Sequence, residues 1–409
     1  MGYFEKHLFA QPQVPNAPSE KTGIIVTIPC YNEPGLITVL DSLEACEEPG
    51  TAVEVIIHVN ASDESPGSVQ AQNKLTIENF NAWNHGRRHT YFLLHSPALP
   101  ERHAGVGLAR KIAMDEAAYR FHRSQRENGV IVCLDADCTV EKNYLAEIER
   151  TFRQDPGLAG CSLYFEHPLS GVSFPSSVYE AIINYELFLR YYVLALQWCR
   201  FPYPYHTIGS SMAVRAEAYM KLGGMNRRKA GEDFYFLHKL FPFGKFRSVN
   251  TTTVYPSPRI SDRVPFGTGA AVSKQLLGVE EEYTTYHFQS FRDLRNFFSL
   301  LPEYYYKNKF ADGKIPDSIK DFLHHENLEE SLREIKSHTA TESSFTKRFF
   351  TYFDGFKILK FIHHSRDHFY PNTEVRRSVR DLLEAMGHTE YPEDKRALLL
   401  MLRFFEKEK

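Results

Sequence analysis

The patterned part of the chain opens with an apolar run, "GIIVTIP" at 23–29, that stops at the polar loop "CYNEPG". Leu36, Val39, Leu40 and Leu43 then return at helical spacing. The alternation repeats. "VEVIIHVN" (53–60) ends in "NASDESPGS" and gives way to a helical stripe through Leu75, Ile77 and Phe80. "HTYFLLH" (89–95) precedes the helical "GLARKIAMDEAAYRFHR", and "VIVCL" (130–134) is a fourth short apolar run. Buried strands alternating with helices predict βαβ units and a mainly parallel sheet covered on both faces. In such sheets the crevice lies at the carboxyl ends of the strands. The loops "PCYNEP", "VNASDES" and "LDADCT" are therefore expected to meet.

From about residue 156 the rhythm changes. "LAGCSLYFEHP" is one more strand signal. "VYEAIINYELFLRYYVLALQW" is long and apolar, but Glu180, Asn184, Glu186 and Arg190 recur in it at helical spacing. That pattern predicts an amphipathic helix and excludes a bilayer span. "AEAYMKLGGM" and "GEDFYFLHKLF" read as helices, and from about residue 290 the chain is helical, charged and aromatic. The expected division is an N-terminal extension (1–21), an α/β catalytic domain (22–280) and a mostly helical accessory region (281–409).

Composition narrows the class. With 409 residues, 43% hydrophobic and 24% charged, the chain is an ordinary globular protein with room for a large domain and an accessory one. A formal net charge of −3 argues against a nucleic-acid partner held by bulk charge. The six cysteines form no CxxC pair and several stand in apolar runs, which predicts reduced, buried thiols and a cytoplasmic location. The N-terminus has no apolar signal core, and Lys6 stands where an acylation signal wants Ser or Thr.

Three groups of residues can carry chemistry. Asp135 and Asp137 follow the fourth strand, and alternate residues of an extended segment point the same way. Paired carboxylates suit a hard cation such as Mg2+ or Mn2+, which could neutralise a diphosphate. The loop lacks the spacing of a calcium-binding EF-hand, and the plainer alternative is capping of the next helix. Glu232 and Asp233 sit at the start of a helix, as helix-dipole partners or as a general base. Arg110 and Lys111 after "HAGVGLA", and Arg259 and Arg263 in "SPRISDRVPFGTG", suit phosphates, the alternative being solvent-facing helix and loop positions. "PFGTGAA" has the composition of a loop that closes over a diphosphate. There is no Walker A loop, and no GxGxxG follows the first strand.

Taken in order, "VTIPCYNEP", "VEVIIHVNASDES", "GVGLARKIAMDEA", "VIVCLDADCTVEKNYL" and "IGSSMAVRAEAYMKLGGMNRRKAGEDFYFLHKL" resemble the motif series of family 2 glycosyltransferases with the GT-A fold. The resemblance covers roughly 22–265. It implies a Rossmann-like, mainly parallel sheet and a nucleotide-sugar donor. Pro29, Tyr31, Asn32, Glu33, Asn60 and Asp63 would then line the nucleoside. Asp135, Ala136 and Asp137 would hold the diphosphate, with Asp137 and Asp135 on Mn2+ or Mg2+. Gly209 and Ser210 would line the sugar pocket, and Asp233, beside Glu232, would deprotonate the acceptor hydroxyl in an inverting displacement.

The sequence departs from the family in two places. The second loop reads "VNASDES" where paired acids are usual, and "TVYPSPR" lacks the His that often completes the metal site. His238 is expected to pack in or on its helix, so the third metal ligand stays open. The acceptor (glycan, lipid-linked or small molecule) is unassigned, and Trp198, Tyr203 and Tyr205 are equally candidates for acceptor pocket and core. "TKRFFTYFDGFKILKFIHHSR" mixes aromatic and basic residues, so peripheral membrane contact is one reading and a packed helix the commoner one. The competing functions are an inactive nucleotide-sugar-binding module, a retaining transferase, and a nucleotidyltransferase. The last would want a glycine-rich basic loop after the first strand, where "CYNEPG" stands.

Overall fold

The computed structural model describes residues 2–261, 267–278, 283–310 and 313–408, so the expectation for Arg263 lies outside the described residues. The chain divides into two compact units. One comprises Met1–Phe174, Thr207–Ala270 and Lys407–Lys409, and the other Pro175–His206 and Ala271–Glu406. The long helix Ser176–Trp198 thus clusters with the helical unit, and that unit's second segment starts at Ala271 where the sequence pattern places a boundary at 280/281.

The first unit is built on β1 (Thr22–Cys30), β2 (Ala52–Ser62), β3 (Thr90–Leu99), β4 (Val130–Cys133), β5 (Cys138–Val140), β6 (Leu158–Phe165), β7 (Met212–Arg215) and β8 (Lys245–Pro256). Their order in the sheet is β3-β2-β1-β4-β7-β6-β8-β5. The pairs β3–β2, β2–β1, β1–β4 and β6–β8 are parallel, while β4–β7, β7–β6 and β8–β5 are antiparallel. Every residue of β4 and β6 is buried, and so is nearly every residue of β1 and β2. Strands covered on both faces read as continuous apolar runs, which is why these show in the sequence. Four of the seven pairings are parallel, so this is the expected mainly parallel sheet, with helices on its faces.

Register places the chemistry. Ile24–Thr27 pair with Val130–Cys133, and the Leu134 amide still donates to the Thr27 carbonyl at 3.1 Å. Asp135 is therefore the first residue past the sheet. The Cys138 amide closes a turn back to the Asp135 carbonyl at 3.1 Å, and β5 starts there. Because Cys138 pairs with Pro256, the end of β8 delivers the next residues, Ser257–Arg259, beside that turn. The helix Val106–Arg123 buries Arg110, Lys111, Asp115 and Glu116 along with its apolar residues, and packs on β1 and β2.

The N-terminal segment is held by this same helix. The Tyr3 hydroxyl donates to Asp115 at 2.7 Å, the Gln13 amide to Glu116 at 2.7 Å, and Arg120 to the Asn16 carbonyl at 2.8 Å. All six cysteines are buried and none is in a disulfide.

The second unit is helical apart from a two-stranded ribbon, Thr284–Thr285 with Thr373–Glu374. Of the three charges of its long helix only Glu180 faces solvent, whereas an amphipathic pattern suggests that all do. Glu186 and Arg190 are buried, and Glu186 accepts from Arg190 at 2.8 Å and from Arg403 at 2.7 Å. The aromatic–basic tract of 346–366 turns Phe349, Phe353, Ile358, Phe361 and Ile362 into the core of this unit. No helix among the described residues is long and apolar enough to cross a membrane.

Candidate active site

The helix Val106–Arg123 starts at the carboxyl edge of the sheet and aims Arg110 at two carboxylates. Its Nη2 lies 2.6 Å from Asp135 Oδ1, and its Nη1 is paired with Glu232 Oε1. The guanidinium and Glu232 are almost wholly buried. Gly209 lies flat against it: a Cβ there would stand 2.6 Å from Nη1. No larger residue fits that approach. The Gly209 amide donates to Asp233 Oδ2 at 2.9 Å, and the Phe234 amide to Asp233 Oδ1 at 2.7 Å. One buried cation thus ties the turn after β4 to the start of the helix Glu232–Phe243. Gly231 opens that helix with φ of 72°, a conformation that favours glycine.

A second cation closes the other side. Arg259 reaches Glu33 Oε2 at 2.5 Å with Nη2 and Glu33 Oε1 at 3.0 Å with Nη1, and Nη2 also lies 3.0 Å from Asp137 Oδ2. Glu33, Asp135, Asp137, Glu232 and Asp233 therefore gather around two guanidinium groups among the described residues. Burial raises the Asp137 carboxyl above the usual carboxylate range, and Asp135 and Glu33 add to that against the pull of Arg259. Burial likewise raises Asp233, with Asp135 adding to it and Arg110 and the two amides opposing.

The remaining expected donor residues fall as follows. Pro29 pairs with His58 at the end of β1, and Ala136 is buried between the two acids. Tyr31 is half-buried, and Asn32, at φ 50°, is held by its amide donating to Asn73 Oδ1 at 2.9 Å. Asn60 is buried and spends its amide on the carbonyls of Cys30 (2.9 Å) and His58 (3.3 Å), joining the ends of β1 and β2. Asp63 accepts from the Glu101 amide at 3.0 Å, one loop further out. Ser210 is buried, and the Cys138 thiol at the same turn donates to Asp137 Oδ1 at 3.5 Å.

Lys111 is not brought into this group. Its Nζ lies 3.0 Å from Asp115, one helical turn along and beside Tyr3. His238 packs between Phe234 and Phe241, and burial lowers its imidazole to about 4, so it is a neutral core residue. Two positioning residues escape sequence reasoning, Asn73 and Asn226. Asn226 accepts from the Arg228 amide at 3.0 Å and donates to the Glu232 carbonyl at 3.1 Å. Each is a lone asparagine without a motif, and only the fold shows what it spans.

The donor set can be tested against a divalent cation. Among the described residues no group of three or more His, Cys, Asp or Glu side chains is arranged to hold one. The chemistry nevertheless fits a hard cation: the neighbours are oxygen donors, and five carboxylates outnumber two guanidiniums. A diphosphate would be repelled by that surplus unless further positive charge came with it.

Comparison with known proteins places this geometry. The family described as glycosyl transferase family group 2 matches residues 130–301. No curated protein sequence matches the chain. Among solved structures, Staphylococcus aureus TarS 1–349 in complex with UDP-GlcNAc is similar at 13% identity, covering 80% of this chain and 90% of that one, with a TM-score of 0.43. TarS 1–349 alone is similar at 14% identity, 90% and 93% coverage and a TM-score of 0.40. The family match takes in both the Asp135–Asp137 turn and the Glu232–Asp233 helix start, and over that span the chain is similar to glycosyl transferase family group 2.

Proposed function

We propose that the chain transfers a sugar from a nucleotide-diphosphate donor to an acceptor hydroxyl, with inversion, using Asp233 as general base. The observation that carries this is the seating of Asp233. It is held by two backbone amides, and burial keeps its affinity for a proton above that of an ordinary carboxylate. A base poised in that way can take the acceptor proton as the hydroxyl attacks, a role that contributes about 10²–10⁴-fold. Asp135 and Asp137 would hold Mn2+ or Mg2+, which when bound neutralises the diphosphate and makes it a better leaving group. Arg110 fixes Asp135 and Glu232 in place, so the acid pair and the base keep one spacing through the reaction. Glu33 and Asn32 line the end of β1 where the nucleoside would lie, and Gly209 and Ser210 border the sugar.

The test is turnover and binding together. Melting temperature is followed with UDP, GDP, dTDP and CDP, each with and without Mn2+, because a ligand that binds only the folded state raises it by mass action. One nucleotide is expected to raise it only with metal, and Asp137→Ala to abolish the shift. Asp233→Asn is expected to keep the shift and lose turnover of the matching nucleotide sugar. Turnover unchanged in Asp233→Asn would rule out this base.

A further inference from the structure

The loop that leads into Asp233 reads Arg227-Arg228-Lys229, and it is held as firmly as the acids it precedes. Asn226 clamps it between the Arg228 amide and the Glu232 carbonyl. Its backbone lies against the start of the helix Val106–Arg123 at two glycines. A Cβ on Gly107 would stand 2.1 Å from the Arg228 carbonyl oxygen, and one on Gly105 3.1 Å from Lys229 Cα. The loop is thus a seated element at the mouth of the acid cluster.

Its side chains are exposed and meet aromatic faces. Arg227 lies over Phe9 at 5.7 Å and Arg228 over Tyr235 at 4.0 Å. His103 touches the other edge of Phe9 with ring centroids 6.3 Å apart, and Arg102 adjoins it. Lys229 is engaged by Glu101 at 2.8 Å, and Asp63 sits behind Glu101, so the acids of this face are spent at its margin. Arg102, Arg227 and Arg228 remain as a positive group in a chain of net charge −3. Desolvation first, and then Arg102, Arg227 and Lys229, lower the His103 imidazole from its ordinary value.

We infer that the face of Phe9, Arg102, His103, Arg227, Arg228 and Tyr235 is the acceptor subsite, and that it takes an acceptor carrying phosphate groups. Guanidinium forks match phosphate oxygens, and the aromatic rings offer faces for the carbon skeleton between them. The acid cluster repels such a chain on one side while the basic face attracts it on the other, so only the reacting hydroxyl is drawn toward Asp233. This inference rests on the transferase reading above. The same phosphate chemistry can be carried by a soluble phosphorylated acceptor or by a lipid-linked one.

The experiment titrates full-length protein, free of divalent metal, with inorganic tripolyphosphate, and in parallel with phosphatidylcholine vesicles with and without phosphatidic acid. Three proteins are compared: the wild type, Arg227→Ser/Arg228→Ser, and the charge-keeping Arg227→Lys/Arg228→Lys. Tripolyphosphate binding that weakens about tenfold or more in the Ser pair, persists in the Lys pair and fades with added salt supports the proposal with a soluble acceptor. Binding confined to the phosphatidic-acid vesicles, with the same dependence on the two arginines, supports it with a lipid-linked one. No binding in either arm, or binding equal in the Ser pair and the wild type, overturns it. The nucleotide shift is read on separate aliquots of the same three proteins with Mn2+ added. Its absence sinks the transferase reading independently, and its persistence in the Ser pair shows that the variant is folded.

Discussion

Replacing Arg110 with Met tests the centre of the site. The side chain is buried between Asp135 at 2.6 Å and Glu232, and only methionine's length is retained. Glu232 is itself buried, so the loss leaves a carboxylate without its cation in a region that water barely reaches. Breaking a buried pair in this way costs about 3–5 kcal/mol. For a unit of this size about 1 kcal/mol moves the melting temperature by roughly 2–4 °C, so a fall of at least about 6 °C is expected. The orphaned Glu232 escapes part of the penalty by taking up a proton. The deficit should therefore be largest near neutral pH and shrink as the pH falls toward 5. The assay is thermal unfolding across that range for Arg110→Met, Glu232→Gln and the pair. The double variant should recover part of the loss, since neither a bare guanidinium nor a bare carboxylate then remains at that contact. A fall under about 2 °C, or losses that simply add, would refute the reasoning, because residues in one buried network do not act independently.

Asp137→Asn is expected to stabilise the metal-free protein near neutral pH while abolishing any Mn2+-dependent nucleotide shift. The sign follows from the raised folded carboxyl: that group binds more protons folded than unfolded, so it costs stability as pH rises above the unfolded value, and an amide removes the cost. Differential scanning calorimetry from acid pH upward checks it: the gain should grow as the pH rises above the unfolded carboxyl value and level off above the folded one. Gly209→Ala should lower the melting temperature and cut turnover together, because the added methyl meets the Arg110 guanidinium at 2.6–2.7 Å and displaces the amide that holds Asp233. Arg259→Gln should lift the melting temperature little or lower it, and should weaken binding of nucleotide with Mn2+, read by titration, because Glu33 and Asp137 lose the group that sets their spacing.

How far the sequence reaches can be seen strand by strand. β1, β2 and β4 were legible because each is buried on both faces and so reads as an unbroken apolar run, while β3, at the sheet's edge and largely unburied, still shows the apolar "YFLL". β8 was not. "KFRSVNTTTVYP" carries polar residues through much of its length and more than half of it is not buried, so no apolar run marks it. With β8 unseen, the reason Arg259 meets Asp137 is unseen as well, although Arg259 itself stood out as a cation near a flexible-looking loop. Arg110 and Lys111 look alike in sequence, yet neighbours on a helix point about 100° apart, so one faces the acids and the other Asp115. Glu186 and Arg190 repeat the lesson, since spacing alone does not tell a solvated charge pair from one buried against Arg403.

Glu33 and Arg259 meet across 226 residues of chain, and Arg110 and Glu232 across 122. The unit that holds them is itself interrupted by Pro175–His206. During synthesis the strands β1 to β4 can form while most of the chain is still missing, but the pocket acquires both its cations only after β8 has emerged and paired with β5. On the proposed reading, nucleotide would have nothing complete to grip on the growing polypeptide, and its stabilising effect would be withheld until β8 locks. Ligand binding would then report that the pocket has been assembled, and a truncation before residue 259 should silence that report while leaving the early strands intact.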